Sequence, residues 1–410
     1  MSVNAVIPRL AELANIGRHE GGIDRGLATP QEHAARERFA AWGREAGYTI
    51  TQDIVGNLFA RRAGTRAGAL PILVGSHLDT VPTGGAYDGA YGVVGAICSL
   101  EFFDERNTQT THPVEAVAWA GEEGSRFPLG CLGSSVFSGI TNAQTALALT
   151  DMDGTSLHAA LASTHAGLLN GVPMRESLKP SAYLELHVEQ GPVLERECIP
   201  LGVVTAIAGQ CRYRITVEGE SGHAGTVPMD LRSDALCAGA DLVLTVESAA
   251  RTIGNVVATI GRMTVEPGAT NVIPLRATFS LDVRSPEASR IRAVDASLRD
   301  GALRMQCDRG VRVDIEQLEA RAFAPMDARM RQAVHRAIAS LNMQAIDLPS
   351  GAGHDAMCLS QIAPAAMIFV PSIGGRSHVG DERTAEADLR RGVEALAAAI
   401  VEVDRMLESN

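Results

Sequence analysis

The segment GSHLDTVPTGGAYDGAYGVVGA, residues 75–96, decides the reading of the fold. It is entered through the apolar run ILVGSHL at 72–78, which reads as a buried strand. It leaves into a Gly/Ala-rich helix candidate at 89–105. A near-continuously apolar strand feeding a helix is the α/β pattern, with a sheet covered on both faces. His77 and Asp79 fall at the C-terminal end of this strand, the edge where ligands gather in open α/β sheets. Residues i and i+2 face the same side of a strand. Asp79 could therefore accept a hydrogen bond from the second nitrogen of His77, as the partner of a metal-bound imidazole does. Asp88 follows in a turn where Gly84, Gly85 and Gly89 permit an unusual backbone. Taken alone, the segment also reads as a polar loop with Asp88 capping the next helix.

Working outward, the α/β texture holds on both sides. Residues 30–46 read as a helix, with Thr29 as N-cap, Pro30 at the first position and Glu32 closing a T-x-x-E capping box. Gly47 stops it. Strand-like runs follow at 48–54 and 57–61, and buried-strand runs at 114–120 (VEAVAWA) and 182–188 (AYLELHV). After about residue 208 the texture changes. Residues 211–219, 255–265 and 275–284 alternate apolar and polar, as half-exposed strands do, with helix candidates at 230–252 and 286–306. From about 323 the first texture returns, with a helix at 326–341, an apolar strand at 365–371 and an amphipathic helix at 386–407. The expected organisation is an α/β domain, 1–208 and 323–410, with a mixed sheet. It is interrupted by an inserted α+β sandwich at 209–322.

Composition bounds the function. The 410 residues are 46% hydrophobic and 20% charged, enough to bury a large core. A net charge of −12 argues against a nucleic-acid or anionic-membrane partner. Lys179 is the single lysine beside 35 arginines, a bias expected from base composition. Seven scattered cysteines without a CxxC fit a reducing compartment, and no secretory signal or membrane-spanning run is evident, so a cytoplasmic location is expected.

Four strand-end segments can carry chemistry. Besides 75–96, AGEEGSRF at 120–127 places adjacent carboxylates Glu122 and Glu123 straight after a buried strand. Neighbours on an extended backbone point apart, so one can ligate a metal while the other serves as a base; acids at a helix N-terminus are the plainer reading. ELHVEQG (185–191) and GGRSHVGDERT (374–384) place His187 and His378 after apolar strands, where a lone histidine is commonly structural. Together, His77, Asp88, Glu123, His187 and His378 would suit two zinc ions, with one bridging carboxylate and room for a water. Such N/O donors also suit manganese, cobalt or nickel.

With these segments in hand, the chain resembles the zinc-dependent M20 amidohydrolase and peptidase superfamily, in its hydantoinase/carbamoylase branch. The resemblance implies that Asp88 bridges two ions, that His77 and His187 hold one, and that Glu123 and His378 hold the other. It implies that Glu122 is the general base, and that His187, within HVEQGPVLE (187–195), marks the carbamoylase branch. It also implies a cis peptide at Asp88–Gly89. In the inserted domain, a lid and dimerisation domain by resemblance, SGHAGTVPM (221–229), GATNVIP (268–274) and LDVRSPE (281–287) match the family. By that match Arg284 grips the substrate α-carboxylate, Asn271 assists, and His223 of a homodimer partner stabilises an oxyanion. Gln190 would meet the ureido group. The implied activity is hydrolysis of N-carbamoyl-L-amino acids to amino acid, CO2 and ammonia. The implied alternatives are allantoate or ureidoglycolate amidohydrolase, or an aminoacylase or dipeptidase. The VGDERT sequence after His378 departs from the family pattern without touching an expected ligand. GAGHDA (351–356) brings His354 and Asp355 near the substrate region without an assigned role.

Overall fold

The computed structural model describes residues 2–408. The chain divides into two compact units, Met1–Thr205 with Met326–Asn410, and Ala206–Pro325.

The first unit is built on a mixed sheet with four parallel strands at its centre, in the order Val114–Trp119, Ile72–His77, Ala182–Val188 and Ala365–Val370. Every residue of these four strands is buried, as continuous apolar runs require of strands covered on both faces. Antiparallel strands extend the sheet on either side: Leu58–Arg62 and Thr49–Gln52 beyond Val114–Trp119, and Leu201–Ile207 beyond Ala365–Val370.

The helix Pro30–Glu45 begins as its sequence indicates: the Thr29 hydroxyl accepts the Glu32 N–H. The reciprocal bond differs by one residue, because Glu32 accepts from Ala28 N–H while Thr29 N–H turns back to Gly26. The helix Ala90–Glu105 lies against the centre of the sheet and requires small residues there. A Cβ on Gly92 would fall 2.4 Å from the Leu186 carbonyl oxygen and 2.7 Å from Ser76 Cβ. This close approach holds the residues just before the helix over the ends of the strands. No helix among the described residues is long and apolar enough to cross a membrane.

The second unit is an antiparallel sheet in the order Val257–Thr259, Arg276–Ser285, Gly209–Glu218 and Arg312–Arg321, with Met263–Glu266 also paired to Arg276–Ser285. Alternate residues of the central strands (Tyr213, Ile215, Val217, Phe279, Leu281, Val283) form one core with Leu242, Val246, Val294 and Leu298 of the helices Ala235–Ile253 and Ala288–Arg309. Residues 255–265, read above as one strand, form two. Thr259 pairs with Asp282 and Met263 with Phe279, so four steps on one side oppose three on the other. The extra residue falls in the irregular stretch 260–262 between the two strands.

Gly92→Ala should lower stability by about 1–3 kcal/mol through overpacking against Leu186 and Ser76. A denaturant melt with an unchanged midpoint would show that the helix can move away from the sheet at no cost.

Candidate metal centre

The four parallel strands end at one edge, and each delivers a candidate ligand there. His77 is the last residue of its strand and His187 the sixth of seven in its own. Glu122 and Glu123 follow Trp119 by three and four residues, and His378 lies in the loop beyond Val370. Asp88 precedes the helix that begins at Ala90.

Asp88 stands at the middle. Its Oδ1 is 3.6 Å from His77 Nε2 and 3.2 Å from His187 Nε2, and its Oδ2 is 3.2 Å from His378 Nε2. His378 Nε2 is in turn 3.5 Å from Glu123 Oε2. The side chains thus form two triads that share Asp88, namely His77–Asp88–His187 and Asp88–Glu123–His378, each with ligand atoms within 4.8 Å of one another. The first triad is buried; His378 leaves half its side chain exposed.

The electrostatics of this cluster suit cations. Burial, then the charges of Asp88 and Glu122, push the Glu123 carboxyl up to about 8. Burial works against an ionised Asp88 as well, yet hydrogen bonds to His187 and His378 hold its carboxyl well below the usual range. Carboxylates crowded in a buried site, with imidazole nitrogens facing them, form a donor set for borderline divalent metals. The residues fit the group.

Glu122 belongs to neither triad. Its Oε2 lies 3.8 Å from His77 Nε2, and its Oε1 accepts from Cys131 Sγ at 3.3 Å. The adjacent glutamates are divided by the backbone, and one residue arranges the division. The Asp79 carboxylate accepts the Glu122 N–H on Oδ1 and the Glu123 N–H on Oδ2, both at 3.1 Å. Asp79 also faces His77: its main-chain carbonyl is 3.0 Å from His77 Nδ1 and its carboxylate 3.6 Å from the same nitrogen.

A correction concerns the turn at Asp88. The only cis peptide bond among the described residues is Glu266–Pro267, so Asp88–Gly89 is trans. The turn is made by Gly89 itself, at φ 64°, which aims its N–H at His187 Nε2, 3.2 Å away. A Cβ there would lie 2.4 Å from the His77 ring, so only glycine fits.

Gln190 and His378 adopt positive φ without being glycine, at 58° and 59°. Such strain costs about 1–3 kcal/mol per residue and collects at functional sites. Gln190 is held there by Ser372 Oγ, which accepts its N–H at 3.0 Å. Its Nε2 donates to Asp88 Oδ2 at 2.9 Å, and its Oε1 is buried with no hydrogen-bond partner.

The other expected site residues lie in the second unit. The Ala224 N–H donates to the Asn271 carbonyl, joining the His223 loop to the Asn271 turn, and the Gly225 N–H donates to His223 Nδ1. Arg284 is on a strand and donates from Nε and Nη2 to the Asp282 carboxylate, at 3.0 and 3.2 Å.

Sequence reasoning left several residues of the first unit without a role. Glu185 accepts from Ser76 Oγ and Ala356 N–H, joining the two central strands to the loop of His354. The His354 ring meets His187 edge-on with centroids 4.5 Å apart. Glu382, within the segment quoted for His378, accepts the Tyr87 and Asp88 N–H groups. The VGDERT sequence therefore does touch the ligand turn.

A mixed α/β sheet whose parallel strands end in two His/carboxylate triads is an arrangement suited to a metal-dependent hydrolase. Residues 73–402 match the model of peptidase family M20/M25/M40. An N-carbamoyl-L-amino acid amidohydrolase of Geobacillus stearothermophilus is 39% identical over 95% of both chains. An allantoate amidohydrolase of Bacillus subtilis is 36% identical over 96% of both. The crystal structure of a hydantoinase/carbamoylase family amidase from Burkholderia multivorans superposes with a TM-score of 0.92 at 38% identity, over 97% of both. The chain belongs to the M20 peptidase family and, within it, to the hydantoinase/carbamoylase branch.

Elemental analysis after dialysis against a divalent metal distinguishes the two triads. His378→Ala should lose metal from the outer triad only, and Asp88→Ala from both. Equal metal content in the wild type and Asp88→Ala would remove Asp88 from the shared position.

Proposed function

We propose that the protein hydrolyses the ureido C–N bond of N-carbamoyl-L-amino acids, releasing amino acid, CO2 and ammonia. The observation that carries this reading is the position of Asp88, with one oxygen toward His77 and His187, the other toward His378, and Glu122 beside both triads and bound to neither. Two divalent ions held by these triads, zinc by preference, would supply Lewis acidity and lower the pKa of water at this site toward neutrality.

The chain's own residues do the rest. Glu122 takes the proton of the attacking water and returns it to the departing nitrogen. Its buried position and the main-chain bond to Asp79 hold it on one path. Gln190 has Nε2 committed to Asp88, which leaves the buried Oε1 as an acceptor for a ureido N–H. Arg284 binds the substrate α-carboxylate through its planar fork. Because Asp282 already occupies that fork, a substrate carboxylate binds by exchange with it. Asn271 assists at the carboxylate, and His223 of a homodimer partner donates to the developing oxyanion. None of the seven cysteines is paired in a disulfide, which suits an enzyme of the cytoplasm.

Ammonia release from a panel of N-carbamoyl-L-amino acids, allantoate and N-acyl amino acids tests the reading. N-carbamoyl substrates should be turned over fastest. Much faster turnover of allantoate would assign the protein to that alternative, and cleavage of N-acyl substrates without ammonia would make it an aminoacylase.

Glu122→Gln should keep its metal and lose about 10²–10⁴-fold in kcat, the range of a positioned general acid–base group. Retained turnover would take the proton transfer away from Glu122. Arg284→Ala should raise KM about 10–100-fold for carboxylate substrates, the loss of one charge-assisted contact of about 1.5–3 kcal/mol. An unchanged KM would place the carboxylate elsewhere.

A further inference from the structure

The two triads differ in how their ligands are held. His77 and His187 belong to fully buried strands. Of the three histidines, His378 alone sits in a loop, half exposed and at positive φ, so its place depends on whatever ties that loop down.

The tie is Glu382. The residue is 4% exposed, and its side chain reaches back to the turn that carries Asp88. Oε2 accepts the Tyr87 N–H at 3.2 Å and the Asp88 N–H at 3.4 Å. Oε1 lies 3.3 Å from Ser377 Oγ, which is 3.0 Å from Asp88 Oδ2. The hydroxyl hydrogen serves one of these carboxylates at a time. The Glu382 N–H closes a turn onto Val379 O, so the residue is fixed at both ends. The opposite wall has been cleared for it. A Cβ on Gly85 would fall 1.7 Å from Glu382 Oε2, so residue 85 must be glycine for this carboxylate to sit where it does.

We propose that Glu382 is a positioning residue for the outer triad. By clamping the Asp88 turn to the His378 loop, it sets the affinity of Asp88–Glu123–His378 for a divalent cation, while His77–Asp88–His187 keeps its own. The proposal rests on the reading of the triads as metal sites. The hydrogen-bond pattern also says what the clamp needs. A glutamine can accept both main-chain N–H groups on its oxygen and donate from its nitrogen to Ser377 Oγ, which frees the hydroxyl for Asp88. An alanine can do neither.

The test is a calorimetric titration of the metal-free full-length protein with zinc, in the wild type, Glu382→Gln and Glu382→Ala, with a thermal melt of each metal-free form. The wild type should show a tighter and a weaker binding event. Glu382→Ala should weaken the second event by about 10–100-fold, the usual cost of removing a group that orients a ligand, and leave the first within a few-fold. Glu382→Gln should stay within a few-fold of wild type in both. Unchanged outer affinity in Glu382→Ala overturns the proposal, as does equal loss at both triads in step with a lower melting temperature. If Glu382→Ala does not fold, Ser377→Ala keeps the two main-chain bonds and removes the hydroxyl that Glu382, Asp88 and Gln190 share beside His378. It should weaken the second event alone, and no change there counts against the clamp. The readout involves no substrate. A wild type that binds two zinc ions but turns over no N-carbamoyl amino acid would refute the proposed activity and leave the clamp standing, whereas a wild type that binds no zinc would end both.

Discussion

Everything at this site is organised around one buried carboxylate. Burying an ion such as Asp88 costs several kcal/mol unless its oxygens are fully engaged. Here three imidazole nitrogens, the Gln190 amide and the Ser377 hydroxyl converge on it. The constraint propagates outward. Gly89 must lack a side chain to let His77 approach, Gly85 to let Glu382 approach, and Gly92 to let the helix lie on the sheet. These glycines are spaces reserved for particular atoms of other residues.

A second residue, Asp79, governs the division of labour between Glu122 and Glu123. Its carboxylate accepts one amide on each oxygen. With both amides fixed, the two side chains leave the backbone in different directions. One enters the outer triad and the other remains beside His77. The distinction between a metal ligand and a candidate base is made by a hydrogen bond to the main chain. The same residue orients His77 through its carbonyl. Asp79 therefore acts on both triads without belonging to either.

In the second unit the chemistry rests on strand periodicity. Asp282 and Arg284 are two residues apart on one strand and face the same side, so the carboxylate meets the guanidinium in a two-point contact. Arg212 and Gln210 of the neighbouring strand also donate to Asp282, spreading its charge over three donors. Arginine suits this place because its fork matches a carboxylate at two points, which a lysine ammonium cannot do.

The sequence alone determined the central strands, the helices around them and the four segments that end at the site. Continuous apolar runs, capping residues and glycines are local signals, and the physics behind them acts over a few residues. It left the strands Leu201–Ile207, Arg312–Arg321 and Ala345–Ser350 unread. Arg312–Arg321 is a half-exposed edge strand rich in charge, and the other two meet the sheet only by long-range pairing. Tertiary structure decided what depends on distance between remote segments. It put the Asp79 carboxylate on the Glu122 and Glu123 amides, 43 and 44 residues away, in addition to the place beside His77 that i, i+2 spacing offers. It brought Glu382 to Asp88 across 294 residues. A histidine at a strand end can be read from the chain as a candidate ligand. Which oxygen it faces, and what holds that oxygen still, is settled only when the ends of four strands are packed side by side.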